Sequence, residues 1–160
     1  MKTIQSILVS GIILITGIQF KSTTMQTQAN TYPVRNINIS IDRPAAEVYQ
    51  FAGNPENFPK WVKFVKSISR QGDTWVAETE LGTLKIKFTP KNDFGIIDHD
   101  VTLPNGETVT NPMRVLRNNK GSEFIFTLFR MPGRTDQEYE ADAKAVTADL
   151  QQLKKILEEK

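Results

Sequence analysis

Across residues 94–159, three strand-like segments with a common apolar face run into one long amphipathic helix. Such a helix is too long to be a connector. Laid across a curved sheet it closes off a space, and that space is either core or ligand pocket. The strand register can be worked out from the turns. Leu103-Pro104-Asn105-Gly106-Glu107 reads as a type I turn closed by a glycine bulge, which pairs Leu103 with Glu107, Val101 with Val109, His99 with Asn111 and Ile97 with Met113. The turn at 118–121 continues the register, pairing Val115 with Phe124, Met113 with Phe126 and Asn111 with Leu128. One concave face then carries Ile97, Val101, Val109, Met113, Val115, Phe124, Phe126 and Leu128, with the facing pair His99 and Asn111 in its middle. A slip of one residue would turn this whole set outward.

The helix is punctuated on both sides. Met131-Pro132-Gly133 ends the strand, and Thr135-Asp136-Gln137-Glu138 forms a capping box. Tyr139, Ala143, Val146, Leu150, Leu153 and Leu157 then recur at spacings of four and three, the stripe of a helix lying on a sheet. Asp142 and Asp149 sit beside the stripe, where solvated flanks are expected and a place at a cavity mouth is the alternative.

Upstream, residues 34–41 alternate Ile37, Ile39 and Ile41 with Asn36, Asn38 and Ser40, a half-buried strand. Asp42-Arg43-Pro44 stops it and opens a helix whose apolar side is Val48, Phe51 and Ala52. Gly53-Asn54-Pro55 ends that helix, and a second short one is expected over 58–64 with Trp61 as its anchor. Short strands follow over 65–70, 74–79 and 83–89; in the last, Leu84, Ile86 and Phe88 alternate with Lys85 and Lys87.

The N-terminus has a different character. The apolar run 7–15 has the length of a signal-peptide core and is short for a membrane span, which needs roughly 20 apolar residues. Thr27-Gln28-Ala29 offers a small-x-small cleavage site, so residues 1–29 are expected to be signal peptide and leader and 30–160 the folded domain. A retained N-terminal anchor is the alternative. The expected location is periplasmic or extracellular, with no stable membrane span after cleavage. The chain has 20 basic against 18 acidic residues, and Lys2 and Lys21 are the only charges before Asn30, so the domain balances at 18 against 18. That balance, without a basic stripe of interleaved aromatics, argues against nucleic acid as a partner. With no cysteine, disulfides, thiolate catalysis and cysteine-ligated metals are excluded.

The order of elements, strand, two short helices, six strands and a long helix, resembles the START-like, or SRPBCC, superfamily. Two sets of residues carry the resemblance. The first is Ile39-Ser-Ile-Asp-Arg-Pro-Ala-Ala-Glu-Val-Tyr-Gln-Phe51 with Asn54-Pro-Glu-Asn-Phe-Pro-Lys-Trp61. The second is Asp98-His-Asp-Val-Thr-Leu-Pro104, Asn111-Pro-Met-Arg-Val115, Phe126-Thr-Leu-Phe-Arg130 and Asp149-Leu-Gln-Gln-Leu-Lys154, which is similar to a bacterial branch labelled polyketide cyclase/dehydrase-like. The resemblance covers essentially the whole domain. It implies an α+β helix-grip fold, a seven-stranded curved antiparallel sheet wrapped around the C-terminal helix. It does not imply one reaction, because the superfamily includes lipid carriers, hormone receptors, cyclases and co-chaperones.

His99 on an apolar concave face has the residue type of a general base for an aldol-type cyclisation or dehydration, with Asn111 to hold its tautomer or polarise a carbonyl. The bland alternative is a buried histidine satisfied by Asn111. Asp98 and Asp100 fall on the other face of the strand, which disfavours a His–Asp dyad; Arg114 falls there too, where an ion pair with a neighbouring strand is expected. Trp61, Ile97, Val101, Val109, Met113, Phe124, Phe126 and Leu128 are the expected ligand-lining residues, with ordinary core as the competing role. Scattered carboxylates and one histidine lack metal-ligand spacing, and no phosphate loop, Rossmann fingerprint or Gly-x-Ser-x-Gly elbow is present, so no metal or cofactor is expected. Three functions fit: an exported carrier or sensor of an apolar or amphipathic small molecule, a cyclase or dehydratase using His99, or an interaction domain with a filled groove. The oligomeric state expected is monomer or weak dimer.

Overall fold

A computed structural model describes residues 31–159; the expected leader and cleavage site lie outside these. Strand β1 (Val34–Ile41) keeps the alternation read from its isoleucines, with Ile41 buried and Asn38 and Ser40 turned to the Glu123 carboxylate. Helix α1 (Ala45–Ala52) starts at Pro44 and buries Val48 and Ala52. A 3-10 turn (Pro55–Asn57), capped by the Asn54 side chain, leads into α2 (Phe58–Trp61), which buries both of its aromatic residues. This helix stops three residues short of the expected end. The reason is a competitor for its next backbone donor: the Lys63 N–H goes to the Asp149 carboxylate at 3.0 Å instead of to a carbonyl one turn back.

Strands β2 (Val65–Gln71), β3 (Thr74–Thr79), β4 (Gly82–Phe88), β5 (His99–Thr102) and β6 (Thr108–Asn111) form one antiparallel sheet in that order. Strands β7 (Met113–Asn118) and β8 (Gly121–Phe129) form a second sheet with β1, ordered β1-β8-β7. The α+β helix-grip architecture is the one expected, with eight strands in two sheets in place of seven in one. Pro112 makes the difference. It has no N–H to donate to a ladder, so the expected single strand is cut into β6 and β7. The junction is stitched by a side chain, since Asp98 accepts the Met113 N–H at 2.9 Å and pairs with Arg114.

The turn-derived register holds on both sides of this break: His99 faces Asn111, Val101 faces Val109, Met113 faces Phe126 and Val115 faces Phe124. Two details differ. Asn111 does not pair with Leu128, because the β7–β8 ladder begins at Met113 and the Pro112 carbonyl takes the Thr127 N–H; Leu128 lies opposite Arg35 of β1. The strand expected from 94 begins at His99. Before it, Asn92 folds the chain into a tight loop, bonding Pro90 and Ile96 carbonyls through its amide and the Phe94 and Ile96 N–H groups through its carbonyl oxygen.

Helix α3 (Asp136–Glu158) has the capping box anticipated at Thr135 and Glu138, with both reciprocal bonds present. Its buried stripe is Ala143, Leu150, Leu153 and Leu157, and it meets Ile41, Val48, Phe58, Trp61, Met113 and Phe124 in one core. Asp149 is no solvated flank: it is 9% exposed and holds Lys63, and burial raises its carboxyl pKa against the lowering effect of that bond. One buried carboxylate thus ties the middle of α3 to the start of β2.

Candidate functional site

The centre of the concave wall is an aromatic cluster built from four elements. From α2 come Phe58 and Trp61, one turn apart, with ring centroids separated by 5.1 Å. Strand β4 gives Phe88, whose ring meets Phe58 edge-on at 5.1 Å, and β8 gives Phe124, edge-on to Trp61 at 6.0 Å. His99 of β5 completes it, lying over Phe88 at 4.9 Å and against the edge of Phe58 at 5.7 Å. Such tilted and edge-on pairs match the quadrupoles of the rings.

His99 is 7% exposed, and both ring nitrogens have neighbours. Nδ1 lies 3.2 Å from the Ile97 carbonyl oxygen, which can only accept, so Nδ1 carries the hydrogen. Nε2 is then the acceptor, 3.4 Å from the Asn111 amide nitrogen. Burial lowers the imidazole pKa below its ordinary value; the Ile97 bond and the charges of Asp98 and Asp100 oppose this only in part. Neither aspartate reaches the ring as a partner: Asp98 serves Arg114 and the Met113 N–H, and Asp100 accepts from the Thr110 hydroxyl at 2.6 Å. The Arg114 ion pair is the one anticipated from the outer face.

This arrangement has a pH consequence. The unfolded chain protonates His99 as pH falls through about 6.5, while the native imidazole resists until lower pH. The stability this site contributes is therefore complete above about pH 6.5 and is lost as pH falls from there through the native pKa. The unfolding free energy of the wild type, read from urea titrations, is expected to fall between about pH 7 and 5, by at most about 1.4 kcal/mol per pH unit for one group, and to fall less in His99→Gln. Equal slopes in the two proteins would show that burial does not hold this imidazole neutral.

The expected lining residues divide into two groups. Trp61, Ile97, Val101, Met113 and Phe124 are buried and packed into the core, whereas Val109, Phe126 and Leu128 are half-buried. Clefts open on the described surface. One of about 230 Å³ lies between β1 and α3, over Ile37, Ala143 and Ala148 with Arg35 and Glu140 at its rim. Another, of about 210 Å³, has Phe88 and His99 at its base and Lys87, Asp98 and Asp100 around it. Of the expected residues only His99 lines either of them.

Two buried polar atoms in the described residues have no hydrogen-bond partner, the Trp61 indole Nε1 and the Ser122 Oγ. Ser122 stands two residues before Phe124 on β8, so the two share a face of the strand. Nothing in the sequence singled out Ser122, a small polar residue in a strand that otherwise reads as ordinary. Phe88 was visible in the alternation of β4, and Phe58 in the short helix, yet their meeting with His99 depends on how the sheet curls.

No protein-family model matches the sequence, and no curated protein matches it. Solved structures do. The chain is similar to a START superfamily protein from Mycobacterium smegmatis with a TM-score of 0.60 and 9% identity, covering 79% of this chain and 97% of that one. It is similar to Aha1 from Colwellia psychrerythraea, whose structure is a dimer, with a TM-score of 0.60 and 18% identity over 76% and 93% of the two chains. A third is BexL, the di-domain ARO/CYC of the BE-7585A biosynthetic pathway, with a TM-score of 0.60 and 15% identity over 79% of this chain and 46% of that one. At such identities the shared property is the fold.

Proposed function

The chain has the START-like, or SRPBCC, helix-grip fold, and on that premise we propose that it is an exported protein holding a compact apolar or amphipathic small molecule between the sheet and α3. The observation that carries this reading is the unpartnered indole N–H of Trp61, 4% exposed and set among aromatic rings. A buried donor without an acceptor costs about 1–3 kcal/mol, and a carbonyl or hydroxyl oxygen on a ligand would recover that cost. The surrounding rings supply the apolar wall, and Ser122 supplies a second polar atom on the Phe124 face.

Binding is favoured over turnover by the state of His99. As a general base it would have to give up Asn111, and it has no carboxylate behind it. It serves better as a neutral polar spot in the wall. Neither cleft reaches Trp61 or Ser122, and both, at about 230 and 210 Å³, lie below the roughly 300 Å³ at which drug-sized pockets begin, so the interior opens to admit the ligand. Export rests on the apolar run 7–15 and the small residues before Asn30. The protein acts as a monomer or weak dimer.

The test is native mass spectrometry of the purified protein, with titration of the amphipathic fluorophore anilinonaphthalene sulfonate beside it. A co-purifying small molecule and saturable dye binding displaced by it are expected. Trp61→Phe removes the N–H and keeps most of the apolar body, so it should weaken retention about fivefold, while the relief of the unpartnered donor offsets part of the cost of the smaller ring in the urea midpoint. If no molecule co-purifies and the dye does not saturate, the binding reading fails and a filled interaction groove replaces it.

A further inference from the structure

We propose that the segment 54–64, which carries α2, is the door of the interior: it lifts off the two sheets as a unit, and the bond from the Lys63 N–H to Asp149 is its latch. What passes through the door rests on the binding reading above; the opening itself is measured without a ligand.

Bonding sets this segment apart. Among the described residues, its hydrogen bonds stay within it or reach the chain next to it, with one exception. The Asn54 side chain takes the Glu56 N–H at 3.1 Å, and the Asn54 carbonyl takes the Asn57 N–H at 3.0 Å. Lys60 donates to the Asn57 side chain at 2.7 Å, and the Asn57 amide reaches back to the Phe51 carbonyl at the end of α1, 3.0 Å away. The Phe58 carbonyl takes the Val62 N–H at 2.7 Å, and the Val62 carbonyl takes the Val65 N–H at 3.1 Å. The exception is the Lys63 N–H, which crosses to Asp149 of α3 at 3.0 Å. No rung of either sheet runs through the segment, so it moves while every ladder stays whole. Its far end is pliant too, since β2 opens with a bulge between Val65 and Ser67.

What the segment covers is the aromatic wall. Phe58 lies on Phe88 and His99, and Trp61 lies on Phe124, so lifting α2 uncovers rings of both sheets together. The closed position is held against the hydration of its own indole. Trp61 Nε1 is buried without an acceptor there, and water supplies one when the segment is open. Burial of Phe58 and Trp61 keeps the door down, and one bond to a carboxylate decides how firmly. Such a balance gives a closed ground state with a minor open population.

The experiment is amide hydrogen exchange of the full chain in a series of low urea concentrations. The Val62 and Lys63 amides are expected to exchange about tenfold or more faster than those of β8. Their urea dependence should be above zero, because Phe58 and Trp61 become exposed, and below that of global unfolding. No urea dependence would mean fraying that leaves the wall covered, and the full global dependence would mean that α2 opens only when the protein unfolds; either overturns the proposal. Asp149→Ala should speed these two amides about tenfold more than it speeds β8, and Asp149→Asn, which keeps an acceptor oxygen, should fall between it and the wild type. The association rate of anilinonaphthalene sulfonate, followed by stopped flow, should rise by the same factor in Asp149→Ala, since the dye meets the open population. An unchanged association rate, or equal acceleration of β8, removes Asp149 as the latch and overturns the proposal. A dye that never saturates counts against the binding reading alone, because the exchange slopes need no ligand.

Discussion

Phe124→Ala is expected to lower the unfolding free energy by about 3–5 kcal/mol, the largest effect of any single substitution in the concave wall. The ring has no exposed surface. It lies at the centre of β8, opposite Ile39 on one side and Val115 on the other, and its ring meets Trp61 in a T-shaped contact at 6.0 Å. Removing it deletes the transfer free energy of an aromatic side chain and leaves a hole between two strands that are hydrogen-bonded along their length and cannot collapse into it. Phe126→Ala, on the same face but half-buried, should cost roughly half as much. Urea unfolding of both variants decides the matter. A loss below about 1 kcal/mol at Phe124 would mean that the wall is loosely filled there and that the interior is more cavity than core.

The second large effect is at Gly95. Its φ is 70°, in the left-handed region, and a Cβ placed on it would stand 2.2 Å from the carbonyl oxygen of Val115. That oxygen belongs to the strand to which Gly95 is itself bonded, through the Val115 N–H at 2.9 Å, so neither side can retreat. Gly95→Ala should cost about 2–4 kcal/mol, combining the left-handed penalty with backbone displacement. Gly72→Ala provides the control. Its φ is 61°, but nothing lies within 4 Å of the added carbon, so only the conformational part, about 1–2 kcal/mol, is expected. The difference between the two midpoints measures the backbone clash alone. Equal costs would show that the loop around Asn92 can move away from β7.

These two residues also show what kind of information a sequence carries. The position of Phe124 in the wall followed from counting back from the 118–121 turn, because a tight hairpin ties every pair to its closing residues. The pairing of His99 with Asn111 came the same way. The capping box, the isoleucine alternation of β1 and the lysine alternation of β4 are likewise local patterns that the folded chain keeps. What escaped was set by contacts distant in sequence. The early end of α2 and the burial of Asp149 are one event, a bond between residues 86 positions apart whose donor is a backbone N–H and so leaves no mark in residue type. Pro112 is in plain view, but the residue type alone does not say whether a proline interrupts a strand or lies at its edge. Whether the apolar face encloses a pocket or a core was undecidable from the strands, because the answer lies in how far the α3 leucines reach into it. For the candidate site, the identities of the residues were legible and their degree of enclosure was not.

The missing N–H of Pro112 matters for how the concave wall can change shape. A continuous curved sheet resists bending everywhere, because any change in curvature strains every rung at once. Here the wall is one sheet of five strands and one of three, meeting along a seam next to Asn111 and Met113 that is crossed by the Asp98 carboxylate on the Met113 N–H, by the Ile97 N–H on the Met113 carbonyl and by the Val115 N–H on the Gly95 carbonyl. The seam carries fewer ladder bonds than either sheet, so a change in the volume under α3 costs least there.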